Sequence, residues 1–136
     1  MMKYFDINRI WSYLAACCVS FFEPLVAILL WMFIFVMADM LSGMYASLKE
    51  GNHLESRKMQ KTISKVIMYS TCVILLHAID VYMLTIVDCG LAKGGSTIIC
   101  GIELYSMLEN FYRATGNKVF KMLTTFTLNK IGIDKP

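Results

Sequence analysis

The sequence predicts an all-α integral membrane protein: about three transmembrane helices, an N-terminal amphipathic or re-entrant helix, and a short basic amphipathic C-terminal tail, in a single membrane domain over 1–136. Three observations carry this expectation. Apolar residues make up 57% of the chain and charged residues 17%, against roughly 45–50% and ~25% in soluble domains. A chain of 136 residues has too high a surface-to-volume ratio to hide that surplus in a core of its own, whereas lipid absorbs it. The apolar residues also gather into runs near the ~20 residues that a helix needs to cross the hydrocarbon, and the basic residues cluster beside those runs.

Taken in order, 8–23 reads as a helix with Ile10, Leu14, Cys17 and Phe21 on one face and a thin polar stripe of Ser12, Ala16, Ser20 and Glu23. Such a segment suits the membrane interface, or forms one arm of a re-entrant hairpin with the adjoining span. Span one is 25–46, uninterrupted and apolar from Leu25 to Ala38, with Pro24 at its first turn, where proline is tolerated. A basic loop, 49–63, leads to span two at 64–87, which holds His77 and Asp80. Gly90, Gly94 and Gly95 mark a turn over 88–96. Span three is 97–112, closed by Arg113 and Gly116, and a basic tail occupies 117–136.

Lys and Arg bias in short loops sets orientation. Lys49, Arg57, Lys58, Lys61 and Lys65 follow span one, and Arg113, Lys118, Lys121, Lys130 and Lys135 follow span three, whereas only Lys93 lies between spans two and three. Both basic regions are therefore expected in the cytoplasm, with the C-terminus inside. The tail, drawn as a helix, sets Val119, Phe120, Met122, Leu123 and Phe126 against Lys118, Lys121, Thr124 and Thr125, which predicts a helix lying on anionic headgroups.

The net charge of +3 forms no basic stripe with interleaved aromatics, so no nucleic-acid partner is expected. Five cysteines occur without zinc-ligand spacing, and no phosphate loop, nucleophile elbow or HExxH occurs. No catalytic, metal or cofactor site is expected, nor a removable signal peptide. Cys89 and Cys100 flank the outer turn, either bridged or free. His77 reads as a hydrogen-bonded core histidine rather than a ligand, because the other histidine, His53, lies in the polar loop.

The informative residues are acids inside the apolar spans: Asp39, Asp80, Glu103 and Glu109. Ionisable residues at that depth are costly and mark function. Span three has six strongly apolar residues, Ile98, Ile99, Ile102, Leu104, Leu108 and Phe111, contributing roughly −3 kcal/mol on insertion scales, while two acids cost about +5 to +7. It needs protein or water along one side. Glu103, Ser106 and Asn110 share a face by i, i+3, i+7 spacing, with Glu109 about 100° away. Depth places Asp80 with Glu103 and Asp39 with Glu109, and Arg113 within reach of the inner layer. Two readings stay open: the acids hold packed helices together, or they line an aqueous path in an oligomer. Ser42 and Gly43 offer a small surface for close helix approach.

Asp39, Ser42 and Gly43 together resemble the D-x-x-[TS]-G motif of a phage holin family that includes the clostridial toxin-secretion holins. Ser56, Arg57, Lys58 and Lys65 resemble that family's loop and the basic start of its next helix, without a Gly-rich stretch after Ser56. Glu103, Ser106, Glu109, Asn110 and Gly116 resemble its acid-Ser-acid-Asn pattern ending in Gly. The resemblance covers roughly 25–116. It implies a non-enzymatic homo-oligomer that permeabilises the bacterial inner membrane, releasing a muralytic enzyme or toxin without necessary direct contact. Rival readings are a small ion or proton channel or transporter subunit, and a membrane scaffold without a pore.

Overall fold

The computed structural model of the chain describes residues 7–51, 56–83 and 89–131. They form four helices, α1 (Ile7–Lys49), α2 (Ser56–Tyr82), α3 (Leu91–Thr115) and α4 (Lys118–Ile131), joined by short connections. The expectations for 52–55, 84–88 and 132–136 lie outside the described residues.

α1 unites two segments that the sequence pattern kept apart. The helix runs unbroken through Pro24, so the chain makes no re-entrant reversal there, and Pro24 is an interior residue rather than a first-turn one. Interior proline removes the N–H that would reach the carbonyl four residues back and normally kinks or breaks a helix. In apolar surroundings the break is tolerated when a neighbouring helix supplies donors to the freed backbone. His77 of α2 contacts the same turn: its Nε2 lies 3.2 Å from the Phe21 carbonyl oxygen, to which the ring N–H donates, whereas the carbonyl that Pro24 leaves without its helix donor is that of Ser20. The Phe21 ring packs on the same imidazole at a centroid distance of 4.9 Å and stacks on Tyr82 at 6.2 Å.

α2 begins at Ser56, so the second half of the expected loop, 56–63, is helical. α3 also begins earlier than expected, because Gly94 and Gly95 are inside it. Its N-cap, Gly90, is left-handed (φ 58°) and offers no side-chain acceptor. Asp80 of α2 takes that place, accepting the Leu91 and Ala92 N–H groups at 3.0 and 2.9 Å. A carboxylate there also complements the positive end of the helix dipole. α3 ends on Gly116 (φ 66°), a left-handed cap that reverses the chain into α4.

α3 packs against each of the other three helices. Glycines permit the close approaches: a Cβ at Gly95 would collide with Leu76 of α2, and one at Gly101 would stand 2.6 Å from Ile131 Cδ1 of α4. With Phe111 against Phe120 at 5.5 Å, these contacts lay α4 antiparallel along α3. The tail helix is therefore present but does not stand apart on a surface, as the sequence pattern led one to expect. Its buried side carries Leu128, and the stripe of Val119, Met122 and Phe126 is exposed.

The core is small, centred on Leu25, Met32 and Val73. The whole surface is 10457 Å², against about 7,200 Å² for a compact soluble monomer of this mass. Trp11, Val26, Trp31, Ile67 and Met68 all point outward. Among the described residues two helices are long and apolar enough to cross a membrane, Arg9–Lys49 and Met59–Tyr82. Only 22% and 6% of their most apolar stretches are buried inside the molecule, the reverse of the core helix of a soluble protein. α3, although about 37 Å long at 1.5 Å per residue, carries too many polar residues to join them.

Candidate functional site

A polar seam joins the three long helices midway along their contact. Its first half is the Asp39-x-x-Ser42-Gly43 motif of α1. The i, i+3, i+4 spacing puts these residues on one helix face, and all three meet Asn110 of α3. Asn110 Nδ2 donates to Asp39 Oδ1 at 3.1 Å and to Ser42 Oγ at 3.2 Å. A Cβ at Gly43 would lie 3.3 Å from the same nitrogen. The motif is a cradle: acceptor, hydroxyl and vacant Cβ position together seat one amide. Ser42 Oγ in turn donates to the Asp39 carbonyl at 2.9 Å.

The second half is an ionic bridge. Lys65 Nζ donates to Asp39 Oδ2 at 2.9 Å and to Glu103 Oε2 at 3.0 Å, linking α2 to both neighbours. Tyr69, one turn further along α2, donates its hydroxyl to Glu103 Oε1 at 2.9 Å. Glu103 is the most enclosed ion, with 1% of its side chain exposed, against 13% for Asp39 and 35% for Lys65. Burying a carboxylate without partners is prohibitive, and here both of its oxygens are engaged. Among the described residues no buried side-chain nitrogen or oxygen lacks a partner. Beside the seam lies an open cavity of about 170 Å³, lined by Asp39, Gly43, Lys61, Lys65, Ser106 and Asn110 among others. At ~30 Å³ per water it admits a few molecules.

The grouping differs from the expected layers. Asp39 and Glu103 share one lysine, while Asp80 caps α3 and belongs to no acid pair. Arg113 does not turn to Asp39 or Glu109. It forms a two-pronged pair with Glu50, Nε to Oε1 at 3.1 Å and Nη2 to Oε2 at 2.7 Å, tying the ends of α1 and α3 together. Glu109 is exposed on the outside of α3. Lys65, expected among the loop cations, is the centre of the seam; its i, i+4 pairing with Tyr69 on one face was the available signal. Lys61, Lys118 and Lys121 are exposed, and Lys121 Nζ stands 6.0 Å over the Tyr112 ring. The side chains of Arg57 and Lys58 lie outside the described residues. His77 is hydrogen-bonded, as expected, and Cys89 and Cys100 are free thiols. No group of residues suited to hold a metal ion occurs among the described residues.

A model of the bacteriophage holin family matches residues 16–129. The chain belongs to that family. No curated relative and no solved structure matches it. The match spans most of the chain, reaches beyond the 25–116 that the motifs alone suggested, and includes every residue of the seam. The chain is thus a holin-like, α-helical membrane protein, and its two most diagnostic motifs are two sides of one helix contact.

Proposed function

We propose that this chain accumulates in the bacterial inner membrane as a multi-pass protein, self-associates there, and opens lesions through which a muralytic enzyme or toxin leaves the cytoplasm. It performs no catalysis. The observation that carries the reading is the family match over 16–129, which embraces both the apolar helices and the polar seam. A lesion wall needs helices that present lipid with one side and water with the other. α3 has that character, with Glu103, Ser106 and Asn110 on one face and Ile98 and Ile102 elsewhere. In a single chain that polar face is spent on α1 and α2. In an open assembly Asp39, Glu103, Ser106 and Asn110 line the water-filled side.

The basic residues fix the orientation in this reading. Arg57, Lys58, Lys61, Lys118 and Lys121 lie on the cytoplasmic side, near anionic headgroups, with the C-terminus inside.

The test is expression in a bacterium with and without a muralytic enzyme that lacks an export signal. Abrupt loss of turbidity is expected only when both are made. Growth that continues unchanged with both present would contradict the proposal.

A further inference from the structure

The outer faces of α2 and α3 carry opposite charges at one depth. Glu109 is exposed six residues before the end of α3, and Lys61 is exposed five residues after the start of α2. At 1.5 Å per residue these are about 9 and 7.5 Å from the helix ends. Those ends lie on the same side of the molecule, because Arg113 pairs with Glu50 just past α1. Lys61 also lines the same cavity as Asn110, the neighbour of Glu109 in sequence. Neither side chain forms a hydrogen bond or ion pair among the described residues. A lone acid facing lipid is costly, and a cation at the same depth on another copy neutralises it.

The stripes running from these two residues match in step. On α3, Ile102 and Ile98 continue the Glu109 face at seven and eleven residues back, and both are exposed. On α2, Met68 and Cys72 continue the Lys61 face at seven and eleven residues on, and both are exposed. α2 and α3 run in opposite directions, so equal steps reach equal depths. We infer that the α3 outer face of one copy docks on the α2 outer face of a second copy, pairing Glu109 with Lys61, Ile102 with Met68 and Ile98 with Cys72. The contact joins two different surfaces. Each docked pair therefore leaves one free face of each kind, and the interaction propagates to rings or open arrays instead of stopping at a dimer. This inference rests on the reading that the chain self-associates in the membrane, and it supplies the surface.

The test uses the full chain in membranes, with its five native cysteines replaced by alanine and new cysteines introduced by Ile102→Cys and Met68→Cys. On oxidation the double-cysteine chain is expected to give a ladder of dimers, trimers and larger species, while each single-cysteine chain stays monomeric. Adding Glu109→Lys is expected to collapse the ladder, and adding Lys61→Glu on top to restore it, which also shows that the reversed chain still folds. Single-cysteine dimers as abundant as those of the double variant, or a ladder indifferent to charge reversal, would overturn the interface. An amine-reactive cross-linker on the unmodified chain separates the two readings. Multimers without a disulfide ladder overturn the α2–α3 interface and leave self-association standing, whereas monomers throughout overturn both.

Discussion

Removing the Lys65 ammonium would leave the Asp39 and Glu103 carboxylates with only hydroxyl and amide donors between them. Breaking a buried ion pair from one side costs about 3–5 kcal/mol, and the low end, about 3 kcal/mol, applies where a third of the lysine is open. Lys65→Met should therefore lower stability by that amount in detergent, read as unfolding by circular dichroism during a denaturant titration. Lys65→Met combined with Glu103→Gln should be less destabilised than Lys65→Met alone, because no enclosed charge is left without a partner. Additive losses would show that the bridge is not energetically coupled. The acids were legible in the sequence because charge is conspicuous inside apolar runs. Their true partner was not. Lys65 stands at the edge of a basic stretch, and only the start of α2 at Ser56 brings it deep enough to meet Glu103.

The elements show where one-dimensional pattern reaches its limit. Apolar runs located α1 and α2, since length and hydropathy are properties of a single segment. The union of 8–23 with 25–46 runs against the local pattern, because proline usually ends or kinks a helix, and the His77 contact on Phe21 in that turn comes from another helix. The capping role of Asp80 was hidden for the same reason: Gly90 leaves α3 without a cap of its own, and the carboxylate arrives from α2. The His77 contact has a testable consequence. A hydrogen bond of this kind is worth about 1 kcal/mol net. His77→Leu should cost about that much, read as a shift of the unfolding midpoint in detergent, and just as much in a Pro24→Ala background, where the regained N–H serves the Ser20 carbonyl and not that of Phe21. A markedly smaller cost in the Pro24→Ala background would show instead that the two positions are coupled.

At the scale of the whole molecule, the helix ends on the α1 C-terminal side carry the basic residues, Lys49, Arg57, Lys58, Lys61, Arg113 and Lys118, and α4 turns back along α3 from that same side. A reactive cysteine placed after Pro136 in a cysteine-free chain should be labelled by an impermeant thiol reagent only after the inner membrane is opened. Labelling in spheroplasts with an intact inner membrane would invert the proposed orientation. The surface excess over a soluble monomer, the two membrane-length helices and the family match agree on an α-helical membrane protein of the holin family. The most direct measurement is on the purified chain alone, reconstituted into vesicles of anionic bacterial lipid loaded with both a small dye and a folded enzyme. Release of the enzyme along with the dye, rising steeply with protein-to-lipid ratio, is the expected result. Escape of the dye while the enzyme stays inside would contradict a lesion wide enough for folded proteins and point to a small-solute channel instead.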